Sequence, residues 1–440
     1  MARATTSRRT DAAGIWLAAG GLALSLVAML GLVALLGAQA FAGFAVRPVE
    51  DVRWRDAAGE HRALVTLVDD DGAHLIVRGS EYTRSGGAYA RIALADVLAR
   101  ERPHDAITLR LADGRELIAR GDVDAVRALP PDAAITLDGL VESLHRADVT
   151  EVLVPNALGF GERAAVFASR AWLFVAGGEA AGDRTDGLFA ALVGTVVLVI
   201  VMSALVMPLG VLAALWLHEY AGRGFAARAI RAAVANLAGV PAVIYGLFGL
   251  ALFVHAIGGG VDRWLFADAL PTPTFGGGGL LWASMTLALL TLPVVIVATE
   301  EGLARVPQGL RQAALALGAT RAELIRHVVL PVARPALLTG FVLAVARAAG
   351  EVAPLMLVGV VKYAPSLPVD GEFPYLHASR QFMHLGYAVY DRALAGGDAL
   401  RSAPQAYAAA LLLVVIVAVL NWSAIVVRHR LREAARGLSS

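Results

Sequence analysis

Six long apolar stretches run through the chain, at residues 15–37, 188–217, 232–257, 279–298, 336–360 and 404–427. As helices rising 1.5 Å per residue, they are long enough to cross a hydrocarbon core about 30 Å thick. No charge falls between Asp11 and Arg47. The small residues Ala38-Gln39-Ala40 would suit a signal-peptide cleavage site, but the apolar run before them exceeds the roughly 7–15 residues of a signal core, so a retained helix is expected. Between the first and second stretches, residues 47–186 are charged and rich in strand formers. Residues 64–68 and 74–77 flank Asp71-Gly72, and residues 107–111 and 116–119 flank Asp113-Gly114. Asp-Gly between apolar runs predicts a hairpin in each case. The hairpins lie about forty residues apart, which by itself reads as coincidence rather than repeat. Residues 138–146 suit a short helix.

The pattern therefore predicts an all-α polytopic membrane protein of six transmembrane helices, with a mixed α/β domain inserted between helices one and two. Residues 1–46 form the N-terminus and first helix, 47–186 the inserted domain, 187–432 a five-helix core and 433–440 a tail. Positive charge in short loops stays in the cytoplasm. Arg3, Arg8 and Arg9 precede helix one; Arg223, Arg228 and Arg231 lie between helices two and three. Arg305, Arg311, Arg321, Arg326 and Arg334 lie between helices four and five, and Arg428, Arg430 and Arg432 follow helix six. The opposite short loop, 258–278, sets Arg263 against Asp262 and Asp268. Both termini are thus expected in the cytoplasm and the inserted domain outside it.

Composition sharpens this. Hydrophobic residues make up 58% of the 440 and charged residues 17%, with a mean hydropathy of +0.64. Soluble chains keep roughly a quarter of their residues charged, so a purely soluble enzyme and a disordered protein are excluded. A net charge of +1 gives no basic field for nucleic acid. The absence of cysteine removes disulfides, thiolate metal sites and cysteine nucleophiles. The sole lysine, Lys362, follows Val361, and a Walker A loop needs Gly-Lys, so no cofactor is expected and any ATP belongs to a partner subunit. Asp69, Asp70 and Asp71 lack the rest of a calcium loop, and His61, His74, His104 and His145 lack metal-ligand spacing, which leaves the inserted domain a structural or docking role.

The most informative cytoplasmic segment is Gln312-Ala313-Ala314-Leu315-Ala316-Leu317-Gly318-Ala319-Thr320, continuing to Val328-Val329-Leu330-Pro331. Helix formers, a glycine and a second amphipathic stretch ending at proline predict helix–turn–helix, because glycine accepts backbone angles that other residues resist. The alternative is a surface hairpin lying on lipid through Arg311, Arg321 and Arg326. The segment resembles the EAA loop of ABC-transporter permeases (the MetI-like family), whose coupling helix docks on an ATPase subunit. Gln312 stands where that pattern has glutamate, keeping the shape and losing the charge. Further motifs resemble the PstA-type permeases of phosphate importers. They are Pro208-Leu209-Gly210 with Glu219-Tyr220-Ala221; Asn236 to Pro241 with Tyr245 to Gly249; Thr299-Glu300-Glu301 with Val306-Pro307; Ala346 to Leu355; and Ser366-Leu367-Pro368-Val369. The resemblance covers about 188–432, and implies a MetI-like permease core in a bacterial inner membrane. It also implies a homologous PstC-type permease as partner, a pair of PstB-type ATPase subunits and an extracytoplasmic phosphate-binding protein. It assigns ATPase coupling to Gln312, Ala313, Ala314, Gly318, Ala319 and Thr320. The inserted domain resembles the enlarged outer region of a long subgroup.

Arg347 lies twelve residues into the 336–360 stretch, roughly 18 Å along a helix and near the bilayer midplane. Glu351 is expected one turn further on the same helix face. Each charge at that depth costs about 2.5–3.5 kcal/mol, so the pair should face protein or water. One reading is a structural ion pair. The other is a substrate path, in which the planar guanidinium of Arg347 grips an oxyanion while Glu351 restrains it, and Pro354 bares the carbonyl of Gly350 at a kink. The resemblance favours the second, with Arg347, Gly350, Glu351 and Pro354 on the path of phosphate; molybdate or sulfate is the alternative cargo. Pro208, Pro241 and Pro293 could kink helices around a cavity, with Ser203, Asn236, Tyr245 and Thr286 as polar lining groups. A membrane sensor using the outer domain is the reading from another class; no kinase, phosphatase or cyclase motif supports it.

Overall fold

A computed structural model describes residues 2–56, 59–79, 89–111, 116–135, 137, 144–177, 187–222, 224–395 and 399–437. The chain forms two compact units, one from residues up to 40 with those from 190 onward, the other centred on residues 41–189.

Six helices among the described residues are long and apolar enough to cross a membrane: Trp16–Phe44, Phe189–Tyr220, Ala242–Leu265, Leu280–Ala304, Arg321–Gly350 and Ala403–Val426, spans one to six. Two of them differ from the sequence expectation. The third apolar stretch does not begin a helix at 232. Phe225–Leu237 is a separate helix, and span three starts at Ala242 with Pro241 as its N-cap. Pro241 has no N–H to donate backward and drives Val240 away from helical angles, so the break falls there. Span five starts earlier and ends earlier than 336–360. It runs through Pro331 without stopping, because the wider turn at Leu324–Val329 absorbs the missing donor. It ends at Gly350, a poor helix former, where Glu351 turns to extended angles and Pro354, four residues on, has no N–H for the Gly350 carbonyl.

Spans four and five lie side by side through small residues. Gly302 meets Ala336, and a Cβ on Gly340 would stand 3.1 Å from that of Ala298. Such residues let helix backbones approach closely. After span five the chain stays inside the bundle. Leu355, Val358 and Phe382 share one core with Leu198, Met202, Phe253, Trp282 and Leu287. The amide of Gly279 donates to the Val358 carbonyl (2.9 Å) and that of Leu280 to Arg380 (3.0 Å). The amide of Leu385 donates to Thr195 Oγ1 (2.9 Å). Non-helical backbone of this kind is tolerated at depth only where protein covers it.

The inserted unit carries ten strands among its described residues. The first five, β1 (Val49–Asp56), β2 (Gly59–Asp70), β3 (His74–Gly79), β4 (Ala90–Ala93) and β5 (Val97–Glu101), form an antiparallel sheet in the order β4-β3-β2-β1-β5. Next come β6 (Ala106–Leu111), β7 (Glu116–Arg120), β8 (Ala134–Ile135), β9 (Leu144–His145) and β10 (Val149–Leu153), where β10-β6-β7 is a second sheet and β8-β9 a small pair. Both expected hairpins are present, with Gly72 at φ +78° in the first turn; the turn Asp113-Gly114 lies outside the described residues. Most of the helix expected at 138–146 lies outside them too. Its described end is strand β9 followed by a 3-10 turn at Arg146–Asp148.

The hairpin spacing is more than coincidence. Thr66-Leu67, Asp71-Gly72, Leu75-Ile76 and Arg78-Gly79 recur in order as Thr108-Leu109, Asp113-Gly114, Leu117-Ile118 and Arg120-Gly121. Downstream, Ala95-Asp96-Val97 and Ala147-Asp148-Val149 each end a 3-10 turn and open a strand, β5 and β10. The same sequence pattern thus builds the same hairpin and the same turn-to-strand step twice, although the closing strand pairs with β1 in the first copy and with β6 in the second. Two adjacent buried acids on β1 brace the first sheet. Glu50 accepts from Arg100 (2.6 Å) and Arg102 (3.1 Å), and Asp51 from Arg62 (2.7 Å) and Arg120. The Arg62 guanidinium holds the Asp51 carboxyl below its usual range.

Candidate functional site

The segment between spans four and five folds as helix, turn and helix. Gln308–Ala316 is helical, and Gly318 takes φ +84°. Its amide donates to the Leu315 carbonyl and that of Ala319 to Ala314, the paired bonds of a Schellman stop. Thr320 then caps the next helix, its hydroxyl accepting from the Glu323 amide while Glu323 accepts from the Thr320 amide (2.8 Å). The second helix does not end at proline as expected, but continues into span five.

One face of Gln308–Ala316 is bolted down. Arg311 donates from Nη1 to Glu219 Oε1 (2.6 Å) and from Nη2 to the Leu303 carbonyl (2.9 Å). Ala314 packs against a core of Leu215, Leu303, Val306, Leu324 and Val329. The other face is open: Gln312, Ala313, Leu315, Leu317, Gly318 and Thr320 are exposed, and Ala319 is half-buried. Beside it, Arg231 pairs with Glu300 (3.1 Å) and donates to the Leu217 carbonyl (2.5 Å), tying the ends of spans two and four. Sequence reasoning missed these ion pairs. Their only signal was that Glu219 and Glu300 stood inside motifs, since a partner ninety residues away leaves no local pattern.

The second cluster lies where span five ends. Gly340 sits beside Ala298 and Val295, and Gly302 beside Ala336, so spans four and five run antiparallel. Seven residues beyond Gly340, Arg347 is level with about Ala288 to Thr291, within roughly 6 Å of the middle of span four at 1.5 Å per residue. The helix around it differs from the expected 336–360, ending at Gly350. Glu351 is not one turn further along a helix; it has left the helix, with ψ 126°. Its carboxylate still reaches Arg347 at 3.6 Å. Pro354 does not kink span five but precedes a separate one-turn helix, Leu355–Val358.

Three of the four path candidates share an open face. Arg347 is 41% and Glu351 24% exposed at their side chains, and Gly350 has open space where a side chain would be. Pro354 is buried instead: its Cα lies 2.7 Å from where a Cβ of Gly246 would stand. The glycine permits this contact between span three, one turn after its own break, and the end of span five. Tyr245, within electrostatic range of Arg347, is buried and donates its hydroxyl to the Leu237 carbonyl (2.8 Å) across the first break. Of the other polar candidates, Thr286 is buried against Gly249 and donates to the Trp282 carbonyl, Ser203 is buried, and Asn236 is exposed. Pro208 and Pro293 lie inside spans two and four.

Outside the spans, Asp370 locks the loop that follows. It accepts from Arg380 and from His377 Nε2 (2.8 Å) and from the Glu372 amide (3.0 Å). Arg380 first, then His377, hold its carboxyl far below the usual range.

Residues 206–433, more than half of the chain, match the family model described as binding-protein-dependent transport system inner membrane component. The phosphate transport system permease protein PstA 1 of Mycobacterium tuberculosis (strain CDC 1551 / Oshkosh) is 34% identical over 242 residues, 55% of this chain and 70% of that protein. The phosphate transport system permease protein PstA of Haemophilus influenzae is 35% identical over 177 residues, 40% of this chain and 56% of that protein. Among solved structures, the inward-facing MetNI methionine ABC transporter covers 56% of this chain and 94% of its own at 19% identity, with a TM-score of 0.40. The family match begins at residue 206, beyond the ten-stranded insertion. With its six spans and its match from the second span to the sixth, the chain belongs to the binding-protein-dependent transport system inner membrane components, as a multi-pass permease subunit of PstA type.

Proposed function

We propose that this chain is the permease subunit of an ATP-driven importer of inorganic phosphate, and that Arg347 is the phosphate contact on its path. The observation that carries the reading is a half-exposed guanidinium near the end of span five, about level with the middle of span four. Facing lipid it would cost about 2.5–3.5 kcal/mol, so in the assembled transporter its face must turn to water or to another subunit. A homologous PstC-type permease closes that face and completes the path. Guanidinium suits the tetrahedral oxyanion because its fork binds two oxygens together. Glu351, half-buried at 3.6 Å, already draws on that charge, so an arriving anion is held weakly and leaves. Gly350 keeps the approach open, and Pro354 fixes the break by its packing on Gly246.

The exposed side of Gln308–Ala316, with Gln312, Ala313 and Leu315, and the turn Gly318-Ala319-Thr320 dock on a PstB-type ATPase subunit. Gln312 contributes shape and hydrogen bonding there, without the charge of a glutamate. ATP is bound by those partners, and an extracytoplasmic binding protein delivers phosphate. Residues 187–432 are then the permease core, 1–46 and 433–440 carry both termini in the cytoplasm, and the 47–186 domain lies outside.

Labelled-phosphate uptake by the complete importer in a host lacking phosphate transport tests this. Arg347→Gln should abolish uptake while the complex still assembles. Wild-type uptake by that variant, or uptake suppressed by excess molybdate or sulfate, would overturn the assignment of residue or cargo respectively.

A further inference from the structure

The helix Phe160–Ala176 of the inserted unit is turned inside out relative to an ordinary surface helix. Both its arginines face inward. Arg163 donates to the carbonyls of Leu158 (3.0 Å) and Pro155 (2.9 Å), and Arg170 to Glu151 (2.7 Å). The opposite arc carries Gly161, Ala164, Ala165, Ala168 and Trp172, all exposed. Trp172 is 69% and the first residue, Phe160, 91% exposed. Ser169 on this arc spends its hydroxyl on the Val166 carbonyl (2.9 Å). The one outward charge, Glu162, caps the helix start through the Gly159 amide (2.8 Å). A helix facing water has the reverse arrangement.

The middle and the C-terminal end of this helix are tied to the chain that leaves span one and enters span two. Phe167 packs on Phe41 (4.6 Å between ring centroids) and Phe44, the last residues of span one, and Phe174 also meets Phe44. The Phe174 carbonyl accepts from the Leu188 amide (2.8 Å), one residue before span two.

We infer that Phe160–Ala176 lies in the bilayer interface as an in-plane helix, with Ala164, Ala168, Trp172 and Leu173 among the lipid headgroups and upper acyl chains. An in-plane helix sinks its apolar face about 5–10 Å into that boundary. Tryptophan is favoured at this depth, with its ring in apolar surroundings and its N–H near the headgroups. The inserted unit is then seated on lipid by its own helix and not merely tethered by two chain crossings. The inference holds whichever side of the membrane the unit occupies.

The test uses the cysteine-free chain, which makes every introduced thiol unique. The full chain with Ala168→Cys is spin-labelled in nanodiscs of phosphatidylethanolamine and phosphatidylglycerol. Collision rates with oxygen and with a water-soluble nickel chelate are compared with those of Leu26→Cys, exposed in the middle of span one, and of Asp132→Cys, exposed in the inserted unit. The label at 168 should behave like that at 26, open to oxygen and several-fold shielded from nickel. Nickel access equal to that at 132 would overturn the inference in favour of water. Shielding from both reagents would overturn it in favour of a protein occupant.

Discussion

Removing the guanidinium of Arg311 should unlatch the helix Gln308–Ala316, and the size of the effect can be worked from the contacts. Arg311 and Glu219 are 12% and 14% exposed at their side chains, and they meet at 2.6 Å. Arg311→Ala deletes a charge-assisted hydrogen bond, a second bond to the Leu303 carbonyl, and, among the described residues, the one arginine paired with a nearly buried carboxylate. The His218 ring, 4.0 Å from Glu219, is too distant to replace it. Breaking one side of a buried pair costs about 3–5 kcal/mol. This pair lies at the end of span two and keeps some solvent, so the lower figure applies. About 3 kcal/mol corresponds to roughly a hundredfold shift toward the detached helix, at about 1.4 kcal/mol per tenfold. Hydrogen exchange of Gln308–Ala316, followed by mass spectrometry on the full chain in detergent, reads that shift directly. Most of the loss is the orphaned charge of Glu219, so adding Glu219→Gln should slow exchange again, although Arg311 is still absent. Unchanged exchange in Arg311→Ala would refute the latch. A double variant no slower than the single would refute the orphan-charge account of its size.

Gly246→Ala should destabilise the bundle by about 1–3 kcal/mol, because the new methyl meets Pro354 backbone that cannot rotate away; a thermal melt as stable as wild type would count against the close approach. Asp370, with its carboxyl held below the usual range by Arg380 and His377, should keep its loop locked as pH falls from 7 to 5. A depressed folded pKa gives stabilisation that is complete above the ordinary carboxylate range near pH 4, and it is lost only as pH drops further toward the folded value. The resonance of fluorinated Phe373, exposed in that loop, should be constant across this interval and sharpen in Asp370→Asn. Sharpening of the wild-type signal by pH 5 would contradict the assignment.

The number of spans, the inserted sheet domain and the helix–turn–helix were all legible in the sequence, because each rests on local regularities: apolar length, Asp-Gly turns, and Gly318 after a run of helix formers. What escaped depends on partners distant in sequence. Nothing near Arg311 points to Glu219, and nothing near Gly246 points to Pro354. Helix limits failed for a different reason. Proline alone does not say whether a helix stops, as at Pro241, or passes, as at Pro331. The outcome turns on whether neighbours can absorb a missing donor: the wide turn at Leu324–Val329 does so, and Gly239-Val240 does not. The repeat in the inserted domain is legible as Thr-Leu, Asp-Gly, Leu-Ile and Arg-Gly in order, whereas turn spacing alone does not distinguish it from coincidence.

The breaks at Pro241 and Gly350 gain meaning together. Each proline suggested a local bend, but the fold brings the two interrupted spans into contact at Gly246 and Pro354, so one packing contact fixes both interruptions. Arg347 then sits in the last turn of a helix that ends at depth, where the carbonyl end of the helix dipole is negative. With Glu351 beside it, the guanidinium is stabilised in place by two negative influences before any anion arrives. That offsets part of the cost of holding a cation there, and on the proposed path it would also weaken the grip on a passing oxyanion. The proposed path needs both: a charge that persists where lipid would reject it, and an attraction shallow enough to let its cargo go.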